Sequence, residues 1–407
     1  MRHMKARRAI IYALTFVALV AAALTYLVLT GENGLSRPDA PARSIDVTRF
    51  DSVAAKEHGW SSDGLDDIFV HVSTLSTDSF LIITDGQVVG AFGDLSKPYS
   101  VHSIRKSFLS ALIGQQLHAD ASLLPLEATL QELGIDDSPV PLTELQRQTT
   151  VKHLLRSVSG INHPAAASGG LHAEIDKRLG HSENQPGTVW AYNNWDYNAL
   201  TTVFESATST EIAEAFDLEI AQPVGMTDFD RSAVSYLADP SLSEHRAAMF
   251  RMSALDLAKF GALYLNDGVS GDQTILANGW VGLITEDFTE TGNDGLRWGH
   301  GYLWWIPEPG TGLPDGTFWA WGLGNQALMV IPAWNTVIVH QSDTTEFLKR
   351  FLPLIGDEGM AGEEALLQLI RACRQKDARE TEYCKEHRFV SRREFDKLLS
   401  LIVSARN

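Results

Sequence analysis

The segment that most constrains this chain is a Ser-x-x-Lys pattern, from Ser103 to Lys106, at the start of an apolar run. On a helix, residues three apart lie on one face with Cβ atoms about 5–6 Å apart, so the lysine amine can reach the serine hydroxyl. A serine becomes a good nucleophile when a base takes its proton. Unpaired N–H groups and the positive dipole end at a helix start also favour a developing oxyanion. The pattern alone favours an ordinary surface helix, but it occurs once in 407 residues and partners follow it.

Two Tyr-x-Asn pairs offer a phenol that can shuttle a proton and an amide that can bind lysine or substrate. Tyr192 and Asn194 follow a Pro-Gly turn and precede an apolar helix predicted at about 197–207. They therefore lie at a loop-to-helix junction, where functional groups are often presented. Tyr264 and Asn266 instead lie within or beside an apolar run of helical spacing, which predicts a packed tyrosine.

A third segment, residues 318–331, reads as a strand, a glycine-bearing stretch and a second apolar strand. Its glycines let the backbone approach a ligand closely, and a strand N–H could complete an oxyanion hole with the N–H of Ser103. Taken alone, Gly-x-Gly between strands favours a simple hairpin. The three segments in this order are a stronger signal than any one of them.

Together these segments resemble the serine β-lactamase and penicillin-binding-protein superfamily. The most similar branch is that of the class C-related serine hydrolases, with family VIII-type esterases and 6-aminohexanoate-oligomer hydrolases. The resemblance covers roughly residues 60–350 and includes three further stretches, at 154–160, 250–261 and 301–305. It implies Ser103 as the acylated nucleophile, Lys106 as its base and Tyr192 as the proton shuttle to the leaving group.

The resemblance also implies a set of substrate-binding positions: Asn194, Trp321, Gly322, Leu323 and Gly324. The N–H of Leu323 is preferred over that of Gly324 as the second oxyanion donor. β-Lactamases usually carry Lys-Thr-Gly, or a similar cation-bearing triplet, on this strand. Here the stretch is Ala320-Trp321-Gly322, or Trp321-Gly322-Leu323, and neither offers a cation.

The missing cation favours an ester or short amide substrate without an essential carboxylate and predicts poor turnover of β-lactams. Trp321 would present an apolar face to such a substrate. Arg105 or Arg251 could restore a cation if either side chain reached the cleft. His102 adjoins the nucleophile, but neighbours along a helix do not face each other, so we expect it to line or support the site.

A serine hydrolase is the function these residues favour, with a β-lactamase or a D-amino-acid peptidase as alternatives. A catalytically silent binding protein on the same fold is the alternative of another class. No metal-binding motif occurs, and no cofactor is predicted. The formal charge of −18, from 33 basic and 51 acidic side chains, disfavours nucleic acid and anionic membrane surfaces as partners. The oligomeric state stays open.

The N-terminal segment predicts a membrane anchor. Four basic residues within positions 1–8 precede an uncharged run from Ala9 to Thr30, long enough to span a bilayer. Because this run exceeds the apolar region of a cleaved signal peptide, an uncleaved anchor is favoured. The catalytic part would then lie outside the cytoplasm, on the periplasmic side, although a cleaved and secreted form stays open.

The predicted organisation has four parts: an anchor at 1–30, a linker at 31–60, a hydrolase domain at 61–350 and a helical extension at 351–407. The extension holds Cys373 and Cys384, which could form a disulfide or stay free.

The periodicities within the domain predict its fold class. An Asp-Gly turn predicts a hairpin at 79–92, helical patterns dominate 120–290, and strands follow at 298–342. Strands at both ends with helices between them indicate an α/β fold of the α+β type. We expect a β-lactamase-like antiparallel sheet flanked by helices, with an inserted all-α lobe and the site in the cleft between them.

Overall fold

The computed structural model describes residues 52–167, 172–180, 183–292, 297–345, 390 and 392–406. The predicted membrane anchor and both cysteines lie outside these ranges, as does most of the predicted linker. None of the helices in the described ranges combines the length and apolar character that a membrane span requires.

The centre of the fold is an eight-stranded sheet in the order β2-β1-β13-β12-β11-β10-β9-β8, with every neighbouring pair antiparallel. Its strands are β1 (Ser79–Thr84), β2 (Gln87–Gly93), β8 (Thr289–Glu290), β9 (Gly299–Gly301), β10 (Trp304–Ile306), β11 (Phe318–Gly322), β12 (Gln326–Ile331) and β13 (Thr336–Gln341). The predicted antiparallel sheet is therefore confirmed.

The first and last strands of this sheet in chain order are neighbours, beside the edge strand β2. β1 pairs with β13 from Ser79↔Gln341 to Thr84↔Thr336. Asp85 and Gly86 form the turn between β1 and β2 with φ of 52° and 73°. Because both turn residues need positive φ, Asp-Gly suits this hairpin, as predicted.

Ten helices lie in the described ranges: α1 (Ser52–Glu57), α2 (Ser62–Thr74), α3 (Arg105–Asp120), α4 (Val151–Leu155), α5 (His172–Leu179), α6 (Asn194–Thr208), α7 (Ile212–Phe216), α8 (Ala254–Leu265), α9 (Gly282–Glu286) and α10 (Arg392–Ala405). A π-helical turn at Asp217–Ala221 follows α7. The predicted helix at 197–207 lies within α6.

Helices cover both faces of the sheet, and strand alternation decides which side chains meet them. On β11, Phe318 and Ala320 join the core that contains α3, α6 and α8. Trp319 faces the other core, formed with α2 and α10. Helix α10 buries Phe395 and Ile402 in that second core. The segment predicted as a C-terminal extension thus contributes a helix to the core of the described fold.

The second lobe is not all-α, and that part of the prediction is wrong. Three further strands, β3 (Tyr99–Ser100), β4 (Val234–Asp239) and β5 (Ser243–Met252), form a small antiparallel sheet in the order β3-β5-β4. Two short strands, β6 (Val269–Ser270) and β7 (Gln273–Thr274), pair separately. Buried and exposed positions largely alternate along β5. Small alanines and charged neighbours obscure this period of two in the sequence.

An aromatic cluster holds helix α3 in the core. The ring of Phe108 lies 4.9 Å from that of Phe216, 5.1 Å from that of Phe250 and 4.8 Å from that of Phe260. Such offset and edge-on contacts contribute about 0.5–1.5 kcal/mol each beyond their buried area. The start of α3, which carries the Ser-x-x-Lys segment, is therefore fixed on a rigid support.

Candidate active site

The structure brings together the three side chains of the predicted catalytic set. Ser103 lies in a 3₁₀ turn, His102–Ile104, that runs directly into α3. The Lys106 amine donates a hydrogen bond to Ser103 Oγ at 3.0 Å and another to the hydroxyl of Tyr192. Helical spacing produces the first contact, and the loop before α6 brings the tyrosine to the second. Ser103 is partly exposed, whereas Lys106 is 2% exposed.

Burial sets opposite proton affinities on the lysine and the tyrosine. It lowers the pKa of Lys106 well below its usual value, and the charge of Arg105 lowers that pKa further. Burial raises the pKa of Tyr192 to about 12, against smaller lowering effects from Ser103 and Arg105. Low dielectric disfavours the charged form of each group. Burial thus favours the neutral form of both groups, the amine of Lys106 and the protonated phenol of Tyr192.

Aromatic rings enclose the lysine. Its amine lies 4.1 Å from the ring centre of Tyr192 and 4.5 Å from that of Tyr197. Tyr192 in turn stacks on Trp305, with ring centres 5.2 Å apart, and meets His300 edge-on. Trp305 belongs to the 301–305 stretch of the family resemblance, but neither it nor His300 was predicted as a site residue, because nothing local links β9 and β10 to the tyrosine loop.

A hydrogen-bonded group lies behind this aromatic enclosure. Ser157 Oγ is 2.8 Å from the hydroxyl of Tyr197 and 3.4 Å from His300 Nδ1. Burial lowers the pKa of His300 to about 3, so its imidazole is neutral at physiological pH. The group fixes Tyr197, and with it one side of the lysine environment.

The end of β11 lies against the nucleophile turn. A Cβ added to Gly322 would lie 2.5 Å from the Val101 carbonyl oxygen, so only glycine permits this approach. In the described part of the chain, the N–H groups of Ser103, Leu323 and Gly324 donate to no other residue. They are therefore available to an oxyanion, and the structure leaves the preference for Leu323 as a prediction.

Trp321 contacts α10 and its own hairpin. Its ring packs 4.9 Å from that of Phe395 on α10, and its indole N–H donates to Asn325 Oδ1 at 3.1 Å. Asn325 also donates to the Val390 carbonyl at 2.5 Å. These contacts show that the ring supports the β11–β12 hairpin, and an apolar Trp321 face turned to substrate stays a prediction.

Asn194 begins α6, two residues after Tyr192. Its Nδ2 donates to the Ala167 carbonyl at 2.9 Å, while its buried Oδ1 has no partner among the described residues. It does not bind Lys106, which was one of its predicted roles. The preceding Asn193 caps the helix by accepting the N–H of Trp195. An unused buried acceptor at Asn194 leaves its predicted substrate contact as a prediction.

The two arginines named as possible cations differ in position. Arg105 is buried and donates to Asn198 Oδ1 at 3.1 Å. Arg251 is exposed and donates to the Pro98 carbonyl at 2.8 Å, away from the catalytic set. A third arginine, Arg297, lies near enough to Tyr192 to lower its pKa slightly. Sequence analysis had no signal for Arg297.

His102 supports the turn, as expected. Its Nε2 is hydrogen-bonded to Thr344 Oγ1 at 2.6 Å, and its φ is +47°. Burial lowers its pKa to about 4, so it is neutral at physiological pH. No group of three or more His, Cys, Asp or Glu side chains within the described ranges could hold a metal ion.

Comparison with known proteins gives the same superfamily. The Beta-lactamase family profile matches residues 65–351, more than two thirds of the chain. No curated protein matches it.

Three solved structures illustrate the shared fold. A candidate 6-aminohexanoate-dimer hydrolase from Bacillus anthracis has 21% identity and a TM-score of 0.51, over 74% of this chain and 79% of that one. EstCE1, a hydrolase with promiscuous acyltransferase activity, has 15% identity and a TM-score of 0.51, over 79% and 99%. SurE has 17% identity and a TM-score of 0.50, over 80% and 77%. From the profile match, this chain belongs to the β-lactamase family, within the superfamily of serine β-lactamases and penicillin-binding proteins.

Proposed function

We propose that this protein is a serine hydrolase that forms an acyl-enzyme at Ser103 and acts on esters or short amides. One observation carries the proposal: a buried lysine amine lies 3.0 Å from a partly exposed serine hydroxyl and also binds a tyrosine hydroxyl. Family membership supports hydrolysis in general. The ester or amide preference is our proposal.

In the acylation step, Ser103 Oγ attacks the substrate carbonyl carbon and its proton passes to the Lys106 amine. The carbonyl oxygen becomes an oxyanion, which the N–H groups of Ser103 and Leu323 would stabilise. Collapse of this intermediate breaks the bond to the leaving group. Tyr192 gives that group its proton and recovers one from Lys106, because the same amine binds the tyrosine hydroxyl.

In the deacylation step, a water molecule attacks the acyl carbon and the ester bond to Ser103 breaks. The proton of the water returns through the Tyr192 and Lys106 pair to Ser103 Oγ, which regenerates the resting site. The pKa of Tyr192, raised to about 12, keeps the phenol protonated in the resting site, so the hydroxyl carries the proton that the leaving group needs.

Covalent labelling tests the nucleophile directly. Wild-type protein should take up one equivalent of a fluorophosphonate, and Ser103→Ala should take up none, because only the attacking oxygen is lost. Ser107→Ala is the matched control on the same helix, since its hydroxyl donates to the Leu303 carbonyl and should not react. Stoichiometric labelling that persists in Ser103→Ala would sink the assignment. Absence of labelling and turnover in the wild type would favour a silent binding protein.

Substrate choice follows from β11. Ala320 is 1% exposed, and Trp321 supports the hairpin. Neither side chain carries a positive charge, so neither can pair with the carboxylate of a β-lactam. Losing such a charge-assisted contact costs about 1.5–3 kcal/mol, or roughly ten- to a hundredfold in kcat/KM. We expect p-nitrophenyl esters to be turned over better than nitrocefin, with short linear amides as the third substrate of the panel. Efficient nitrocefin hydrolysis with negligible esterase activity would instead establish the β-lactamase alternative.

We also propose that the chain is held in the membrane by residues 9–30, with the hydrolase domain on the periplasmic side. The proposal rests on the uncharged run and its basic flank. The full chain should sediment with membranes and resist carbonate extraction. A mature protein whose N-terminus maps to about residues 24–31 would show cleavage instead.

A further inference from the structure

Two consecutive basic side chains are buried at the start of α3. Arg105 is 5% exposed and Lys106 is 2% exposed. Within the ranges that the structure describes, neither forms an ion pair with a carboxylate. Burying an unpaired charge is costly, so a buried group that can neutralise itself does so. The lysine can release its proton, whereas an arginine keeps its charge at any physiological pH.

Arg105 is held in place. Its guanidinium donates to Asn198 Oδ1 at 3.1 Å, and Asn198 is itself buried and donates to the Ala166 carbonyl at 3.0 Å. The positive charge therefore has a defined position on α3, anchored to α6. It acts on Lys106 and Tyr192 in the same direction, because it disfavours the protonated amine and favours the ionised phenol.

Other titratable groups around the lysine do not supply this charge. Tyr192 and Tyr197 contact it from the loop before α6 and from α6, and burial keeps both phenols protonated. His102 in the 3₁₀ turn and His300 on β9 are neutral, with pKa values of about 4 and about 3. Arg297 acts on Tyr192. Arg105 is thus the fixed charge that acts on the amine itself.

We propose that Arg105 is a positioning residue for the proton transfer: its fixed positive charge adds to the effect of burial in disfavouring the protonated Lys106 amine, and so helps the amine to accept the Ser103 proton. This inference rests on the proposed serine hydrolase function. It assigns a task to a residue that resemblance to the family leaves without one. The Arg105 charge is buried against α6. For this reason, a cation next to Ser103 in the chain does not by itself create a binding site for a substrate carboxylate.

The test is the pH profile of ester hydrolysis by the full-length protein. Arg105→Gln removes the charge but keeps an amide that can donate to Asn198 Oδ1. Without the neighbouring cation, the protonated amine is less disfavoured and its pKa rises. The acid limb of kcat/KM should therefore move up by about one pH unit or more in Arg105→Gln. That shift is about a tenfold loss of rate on the acid side, with recovery toward wild type at high pH.

The controls separate charge from packing. Arg105→Met removes the charge and the hydrogen-bonding group but keeps an unbranched side chain, and it should shift the acid limb as far as Arg105→Gln does. Arg251→Gln, which removes an exposed arginine, should leave the profile unchanged. A loss of rate in Arg105→Gln that is equal at every pH would overturn the inference, as would an unshifted acid limb in Arg105→Met.

A second measurement does not depend on turnover. The ¹³Cε resonance of Lys106 in lysine-labelled protein, assigned with Lys106→Ala, should titrate at higher pH in Arg105→Gln than in wild type. An unchanged titration would contradict the inference even if hydrolysis were confirmed. Loss of wild-type labelling at Ser103 would contradict the proposed function separately.

Discussion

The two Tyr-x-Asn pairs of this chain have the same local pattern and different surroundings. Tyr264 is buried and Tyr192 is partly buried, and desolvation raises the pKa of each to about 12. The hydroxyl of Tyr192 accepts a hydrogen bond from the Lys106 amine. No such base reaches Tyr264, which packs among the rings of Phe260, Trp304 and Phe318.

Polar atoms lie near the Tyr264 hydroxyl, but none of them has a proposed role in proton transfer. Ser110, Trp280 and Trp304 lie near enough to lower its pKa a little, against the larger raising effect of burial. None completes a hydrogen bond of good geometry with its hydroxyl in the described structure. A raised pKa therefore reports burial in both tyrosines. The amine in contact distinguishes the tyrosine proposed to be catalytic from the packed one.

Removing each hydroxyl should give the largest contrast. Tyr192→Phe should lower kcat for ester hydrolysis by roughly 10²–10⁴, the usual contribution of a general acid–base group. Tyr264→Phe should keep kcat and KM within about twofold of wild type, because its hydroxyl touches neither substrate nor Lys106. Steady-state kinetics on one p-nitrophenyl ester compares the two variants. Equal activities of the two variants would contradict the distinction between the two tyrosines. Wild-type rates in Tyr192→Phe would indicate Tyr197 as the proton shuttle instead.

The asparagines extend the comparison with a smaller effect. Asn194, two residues after Tyr192, carries a buried Oδ1 without a partner among the described residues, whereas Asn266 is exposed at the end of α8. If Asn194 binds substrate, Asn194→Ala should lower kcat/KM by about tenfold, the worth of one hydrogen bond. Asn266→Ala should have no measurable effect. Indistinguishable values of kcat/KM would remove Asn194 from the substrate site.

Stability should show the smallest difference, with opposite signs at the two tyrosines. Tyr264→Phe removes a buried hydroxyl that lacks a good partner, so the free energy of unfolding should stay unchanged or rise by about 1 kcal/mol. Tyr192→Phe takes one of two hydrogen-bond acceptors from the buried Lys106 amine and should lower it by about 1 kcal/mol. Urea unfolding at pH 7 measures both. A marked loss of stability in Tyr264→Phe would show that its hydroxyl is bonded after all.

Local patterns predicted the parts of the fold that depend on near neighbours. The Asp85-Gly86 turn, the start of α3 and the packed state of Tyr264 each follow from a few consecutive residues. The Ser103 to Lys106 contact is also local, since it depends on helical spacing alone. The prediction of an all-α second lobe was wrong because alanines and charged residues obscure the alternation of buried and exposed positions along β5.

Contacts between distant segments could not be predicted. Trp305 and His300 reach Tyr192 only because β9 and β10 extend the sheet beside β11. Trp321 lies on the face of the sheet that α10 covers. A shift of the strand register by one residue would turn its side chain to the other face. Sequence alone gives the residue types of the candidate site, whereas the sheet decides which of them meet.

The pairing of β1 with β13 has a consequence for synthesis on the ribosome. Ser79 Oγ donates to Gln341 Oε1, 262 residues further along, so β1 and β2 emerge as an isolated hairpin, which is marginal by itself. The hairpin after Gly322 gains its bond to the Val390 carbonyl only when that residue has also emerged. Because a nascent chain emerges from its N-terminus, α3 exists well before the β11–β12 hairpin is supported. Completion of the candidate site is therefore a late event in the biogenesis of this protein.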